Sequence, residues 1–569
     1  MHASSLVKMK PSDGSISLLR SALFFISLSR LLIPSRSADN PVVTKKPNIV
    51  LILADDVGQG DLPVYFNTSA VSMPNIDALV SNSVLFTDVH STPLCAPSRY
   101  MLLSGMYQHR GRSAKGTWSL AENKSQFKGK QKSIAEVLKD GGNYNTMMAG
   151  KWHIGAKIPP TGVQDKERLL SSPFHDWSLQ LIDGPQEVGF DHSYITAEGI
   201  QRAPYAFFRD GHLDISGTDV KNWDEGDYPM QHGMSTILHE GEGSIDWDST
   251  AYNMILVNET EAFIDGHLSQ RPNDPFFAYV ALGAVHQPHS PPDVYLDGSR
   301  VKGEYPSSHL DMLHEVDKVV GSLVHILESR NLTEDTIIIF TSDNGGLNEG
   351  RSDHLSSGPL RGHKGNVYEG GHRIPFIIRH DGKFPAGEKR HHLLGLNDVF
   401  ATLCELAQVP VPKGSAKDSI SFADYITSGE PNDARRDTYG IWKFNKRDFL
   451  AAALRKNEWK VIQDHSLQTV ELYDLSNDLM EQDDLSNREE YSDLVAEMLL
   501  ELTKMGPCPE DTTDFFNAVI DGEDKELRCR WFSVTRKKRC KMIHRKLARN
   551  KCPRTCGRYY KMCSRLPLY

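Results

Sequence analysis

The feature that most limits how this chain can fold is a set of short apolar runs that end in polar residues. Ile49–Ala54 is unbroken and stops at Asp55-Asp56. Tyr144–Ala149, Phe276–Leu282 and Thr336–Phe340 are of the same kind, the last followed by Thr341-Ser342-Asp343. Runs of this length suit strands buried on both faces. Helical patterns lie between them, as at Ile134–Leu138 and Leu310–Leu327. The alternation predicts an α/β fold with a large mixed, mostly parallel sheet between helices. Ligands of such sheets gather at the carboxyl ends of the strands. Those ends are where this chain places its acids.

The 569 residues suggest two or three domains. Residues 45–430 read as the main one. Short strand candidates at Asp437–Trp442, Phe449–Ala453, Trp459–Ile462 and Val470–Tyr473 follow, then a helix near Glu489–Leu502. They predict a small C-terminal α+β subdomain over residues 431–506. Residues 507–569 read as a basic, disulfide-rich tail: 15 of the 64 Lys and Arg, and none of the 74 Asp and Glu, fall from Arg528 onward. A basic tail on an acidic body suggests an anionic partner. Its cysteines, with Cys508, make six: Cys508, Cys529, Cys540, Cys552, Cys556 and Cys563. In a secreted chain they imply a disulfide framework of undetermined pairing.

Residues 1–38 have the layout of a secretory signal. Lys8, Lys10 and Arg20 precede the apolar Ala22–Leu28, and small Ser35, Ser37 and Ala38 precede Asp39. Sequons begin at Asn67, Asn123, Asn258 and Asn331, as a secreted glycoprotein would have. No later stretch reaches the roughly 18 apolar residues of a membrane span. No nucleic-acid partner is expected.

Asp55, Asp56, Asp343 and Asn344 offer only oxygen ligands, which hard cations such as Ca²⁺ or Mg²⁺ prefer. No Cys/His zinc spacing competes with them in the body. Cys404 lies in a helix-like stretch and reads as core. Cys95 stands alone in a loop, in Cys95-Ala96-Pro97-Ser98-Arg99, and the Pro97-Ser98 step is expected to open a helix.

That pentapeptide resembles the signature of the sulfatase family, in which the cysteine is oxidised to formylglycine. Gly150-Lys151-Trp152-His153-Ile154-Gly155 resembles the second signature, with Ile154 for the usual Leu. Further matches are Asp55-Asp56, Pro74-Asn75-Ile76-Asp77, Gly189-Phe190-Asp191, His286, Asp343-Asn344-Gly345-Gly346, Arg361-Gly362-His363-Lys364-Gly365, Glu369-Gly370-Gly371 and Glu471–Leu475. The resemblance spans roughly residues 45–505, in family order.

The resemblance implies an alkaline-phosphatase-like fold and one calcium ion held by Asp55, Asp56, Asp343, Asn344 and the oxidised Cys95. It implies that Arg99, Lys151 and Lys364 clamp the sulfate and that a hydrated formylglycine attacks sulfur. Asp55 or Asp56 would assist deprotonation, His153 would position the nucleophile, and His286 would protonate the leaving oxygen with Lys364 nearby. A formylglycine-generating enzyme is then a maturation partner. Val285-His286 and Leu360-Arg361-Gly362 are similar to the group that includes N-acetylgalactosamine 4-sulfatase, which hints at a sulfated carbohydrate. A phosphomonoester or phosphonate hydrolase of the same superfamily is the runner-up. A non-catalytic glycan-binding protein is disfavoured, because no expected catalytic side chain is missing. Lys551–Gly557 resembles the end of ShK-toxin-like cysteine modules, and the tail could anchor a sulfated polysaccharide. Secretory-pathway residence, extracellular or lysosome-like, follows from the same reading.

Overall fold

Strand Asn48–Ala54 lies at the centre of the computed structural model, which describes residues 45–113, 118, 124–157, 179–214, 220–223, 239–348, 354–430, 435–444, 449–506, 515–520 and 523–528. All seven of its residues are buried. Alternate side chains of a strand face opposite ways, so the strand feeds two cores. Ile49, Leu51 and Leu53 join a core with the helices Cys95–Ser104, Ile134–Gly142 and Asp398–Leu406. Val50, Ile52 and Ala54 join another with Pro74–Ser81, Tyr252–Gln270 and Ser308–Ser329. Helices therefore cover both faces, as the unbroken apolar runs require.

Five central strands run parallel in the spatial order Thr336–Ser342, Asn48–Ala54, Phe276–Ala281, Asn145–Lys151 and His192–Thr196. Antiparallel strands extend both sides. Arg373–Arg379 and Val84–His90 follow on one, and short Phe208–Arg209 and His212–Leu213 on the other. The mixed, mostly parallel sheet is as expected. The register pairs Ala54 with Ser342, Leu53 with Ala281, and Gly150 with Ala281. It thereby sets Asp55, Asp343, Lys151 and the turn after Ala281 along one sheet edge.

A second, four-stranded antiparallel sheet joins Thr438–Phe444, Phe449–Lys456, Trp459–Asp464 and Thr469–Asp474, with helix Ser492–Met505 packed on it. Buried charges fasten it to the main sheet. Arg455 contacts Asp88 and Glu369, each at 3.2 Å, and Lys460 contacts Glu369 at 3.0 Å and Glu481 at 2.7 Å. Breaking a buried pair from one side leaves uncompensated charge. Arg455→Ala is expected to cost about 3–5 kcal/mol at this junction, seen as a clear fall in apparent Tm by scanning fluorimetry. An unshifted melt would mean that Arg373 alone neutralises Asp88.

Cys404 is buried and free, as expected. Helix Cys95–Ser104 opens two residues before the expected Pro97-Ser98 step. Proline is tolerated there because the first turn's N–H groups have no intrahelical acceptor. The proposed signal and all six tail cysteines lie outside the described residues, so the disulfide framework does too. Among the tail's described residues, Phe515–Ile520 pairs antiparallel with Glu523–Arg528. Among the described residues, no helix is long and apolar enough to cross a membrane.

Candidate active site

The loops after the central strands meet at one point. Asp55 and Asp56 follow Asn48–Ala54, and Asp343 and Asn344 follow Thr336–Ser342; all four are buried. Asp56 has φ 69° and His153 φ 53°. Side chains seldom adopt that left-handed region, and such residues concentrate at functional sites. Gly150, at φ 102°, has no room for a side chain: a Cβ would lie 1.9 Å from Ala281 O. Gly150 thus lets Lys151 and His153 come close to the neighbouring strand.

The acids share their bases tightly. Lys151 Nζ lies 2.5 Å from Asp55 Oδ2. Arg99 directs Nε and Nη2 to Asp343 Oδ2, at 2.9 and 2.6 Å, and Nη1 to Lys151 O at 2.9 Å. Lys364 Nζ lies 2.6 Å from Asp56 Oδ1. His286 Nε2 is 3.8 Å from Asp56 Oδ2. Cys95 Sγ, at the first turn of its helix, is 3.4 Å from His153 Nδ1. Every residue singled out for catalysis or metal binding therefore converges here.

Burial opposes ionisation of Asp55, yet Lys151, His286 and Arg99 hold its carboxyl well below the usual range. Burial and the Asp55 charge push Asp343 well above it, against Arg99. Burial, then Lys151, lowers His153 to about 3. Burial, then Lys364 and Lys151, lowers His286 to about 4. The contact of His286 Nδ1 with Gln287 O, at 2.6 Å, makes Nδ1 the donor and leaves Nε2 as the nitrogen able to gain a proton.

Two oxygens show what the site lacks. Asn344 Nδ2 donates to Asp56 Oδ1 and Gly345 O, which fixes the amide, and its Oδ1 is buried without a partner. Asp55 Oδ1 is likewise buried and unpartnered. Buried acceptors without donors are costly. Ligand atoms of Asp55, Cys95 and Asp343 lie within 4.8 Å of one another, as do those of Asp55, Asp56 and His286. The oxygen-rich donor set fits a hard divalent cation.

Two other clusters do not fit a metal. His354 Nδ1 accepts from Ala70 N, so Nε2 carries the proton and donates to Asp61 at 2.8 Å. Around Glu369, Lys460 fills the metal's place between Glu369 and His372.

One more segment reaches the site. Trp152 N donates to Thr196 O and His153 N to Ala197 O, at 3.0 and 2.9 Å. Gly199 then rests on the Lys151 stem: a Cβ there would be 2.8 Å from Lys151 Cδ. The sequence signal for Ala197–Gly199 was its place after a strand end, hidden because the strand His192–Thr196 mixes polar and apolar residues.

Known proteins resemble the chain over most of its length. The sulfatase family profile matches residues 47–409, and that of the N-sulphoglucosamine sulphohydrolase C-terminal region matches residues 363–506. The chain is 30% identical over 518 residues to N-acetylgalactosamine-6-O-sulfatase of Bacteroides thetaiotaomicron, covering 82% of this chain and 94% of that one. It is 32% identical to human arylsulfatase A over 377 residues, 65% of this chain and 66% of the relative. A solved structure from work on the metabolism of multiple glycosaminoglycans by Bacteroides thetaiotaomicron superposes with TM-score 0.67 at 28% identity, over 80% of this chain and 99% of the other.

Proposed function

This chain belongs to the sulfatase family and is a sulfatase, and from that premise we propose that it removes sulfate from a sulfated carbohydrate, using a formylglycine made from Cys95 and one calcium ion. The observation that carries this reading is the convergence of Cys95 with Arg99, Lys151, His153, His286 and Lys364 around a buried oxygen cage with two unpartnered acceptors. Asp55, Asp56, Asp343 and Asn344, together with the oxidised Cys95, would hold the ion.

Once present, the oxidised side chain supplies the attacking oxygen and the ion lowers that oxygen's proton affinity. The protein's own residues do the rest. Even with all three ionised, Asp55, Asp56 and Asp343 only match Arg99, Lys151 and Lys364, so a divalent ion would leave excess positive charge to receive a sulfate ester. Arg99 keeps Asp343 in place and stands beside Cys95. Lys151 and Lys364 bring cationic heads to Asp55 and Asp56. His153 Nδ1 faces the side chain at position 95 and can hold a proton there. His286 Nε2, beside Lys364, is neutral at rest and would pass to the departing alcohol a proton that it first takes up, such as the one the nucleophile releases.

The motif resemblance leans toward 4-sulfatases, whereas the relative matched over most of both chains is a 6-O-sulfatase. We therefore take N-acetylgalactosamine 6-sulfate as the first substrate. The test is release of inorganic sulfate from it, beside the 4-sulfate and the 6-phosphate. Sulfate release at least tenfold faster than phosphate release is expected. Faster phosphate release would favour the phosphoester reading. The signal-like N-terminus and the exposed sequon residues Asn67, Asn258 and Asn331 support residence in the secretory pathway, extracellular or lysosome-like. A formylglycine-generating enzyme would meet the chain there.

A further inference from the structure

A carboxamide oxygen beside Lys151 has no partner. Gly199 has φ 88°, and a Cβ built on it would meet Gln201 Oε1 at 2.6 Å and Lys151 Cδ and Cε at 2.8 and 3.3 Å. The Gln201 oxygen and the Lys151 stem therefore flank the same bare stretch of backbone, in a gap that a side chain at position 199 would fill. Two backbone bonds fix this approach, from Trp152 N to Thr196 O and from His153 N to Ala197 O. Gln201 Oε1 is buried there without a hydrogen-bond donor. Leaving such an acceptor unmade is costly, so its presence calls for a reason.

Lys151 is the complementary case. Its side chain is fully buried, and its ammonium has three N–H donors. Among the described residues that ammonium bonds to Asp55 Oδ2 alone, at 2.5 Å. Asp55 is also a ligand of the cation site, where its Oδ1 is buried and unpartnered. An ammonium and a divalent cation on one carboxylate repel each other, and more strongly where water is excluded. An ammonium that gives up Asp55 needs another buried acceptor. Gln201 Oε1 is such an acceptor, uncharged and alongside the Lys151 stem.

We propose that Gln201 is a positioning residue for Lys151: its carboxamide oxygen accepts from the Lys151 ammonium when Asp55 turns to the cation, and so holds the ammonium ready for the sulfate ester. The proposal rests on the calcium-dependent sulfatase reading above. Calcium titrations followed by thermal melting of the full chain test it, beside sulfate release at saturating calcium. Gln201→Leu removes the acceptor. Its calcium-free melt should equal or exceed that of the wild type, because an orphan acceptor has gone. Its calcium Kd should rise about tenfold, the scale of one hydrogen bond to a charged group, and kcat/KM should fall by at least that factor. Gln201→Glu keeps an acceptor and should bind calcium as tightly as the wild type or more so. In a Lys151→Met background, Gln201→Leu should leave the calcium Kd unchanged. A Gln201→Leu protein with the wild-type Kd would overturn the proposal, as would a Gln201→Glu protein as weak as Gln201→Leu, or a loss that persists without Lys151. A wild type whose melt ignored calcium would overturn the calcium reading and this inference with it. If the wild type bound calcium but released no sulfate, the proposed activity would fall, while the Kd values would still decide the role of Gln201.

Discussion

Cys95→Ala is expected to lower sulfate release at least about 10⁴-fold, the scale on which removal of a covalent nucleophile acts, while the protein keeps its fold. The side chain is 6% exposed, at the first turn of a helix whose ten residues are all buried. Alanine is smaller and suits that position. The substitution removes the 3.4 Å approach of Sγ to His153 Nδ1 and leaves the backbone of the helix as it is. A melt close to wild type with no sulfate release would separate chemistry from folding. Turnover within tenfold of wild type would remove Cys95 from the mechanism. If Cys95 is oxidised as proposed, the same burial sets the order of maturation. Ser98 is closed in by Thr92 and Leu94, and Arg99 by Asp343 and Lys151. An oxidising enzyme that reads residues 95–99 must meet them before the sheet closes. Folded, unconverted protein given that enzyme should therefore stay unmodified by peptide mass spectrometry, and unfolded chain should convert.

How much of this was legible in the sequence depended on whether a residue's reason lay near it in the chain. The central strands were legible because burial on both faces writes an unbroken apolar run. Val84–His90 and Arg373–Arg379 were not, because each carries a charge that only a distant partner explains. Asp88 is matched by Arg373 and Arg455, hundreds of residues away. The small sheet's strands were visible too, but nothing local showed that Arg455 and Lys460 fasten it to the main sheet. The site residues stood out because each sits in a short motif. Ala197–Gly199 did not, since its position depends on pairing between Asn145–Lys151 and His192–Thr196.

Asp343→Asn should remove the protein's response to calcium and with it at least about 10³-fold of its turnover, the loss expected when a catalytic ion's ligand and its electrostatic contribution go together. The wild type is expected to melt higher as calcium is added, by about 2.7 kcal/mol of stabilisation at a hundred times Kd. The variant separates two roles that this carboxylate could have. If Asp343 served only to neutralise Arg99, its loss would strip a buried guanidinium of its partner and lower the calcium-free melt strongly. Asparagine keeps one oxygen for Arg99, as Oδ2 serves now, and gives up only the 3.2 Å contact that Oδ1 accepts from Asp56 N. It also removes a charge that burial and Asp55 already make unfavourable. The calcium-free melt should thus change little, while the calcium shift disappears. A variant that kept both the shift and its turnover would show that the ion, if bound, does not use Asp343. A steep drop in the calcium-free melt would assign Asp343 to structure instead.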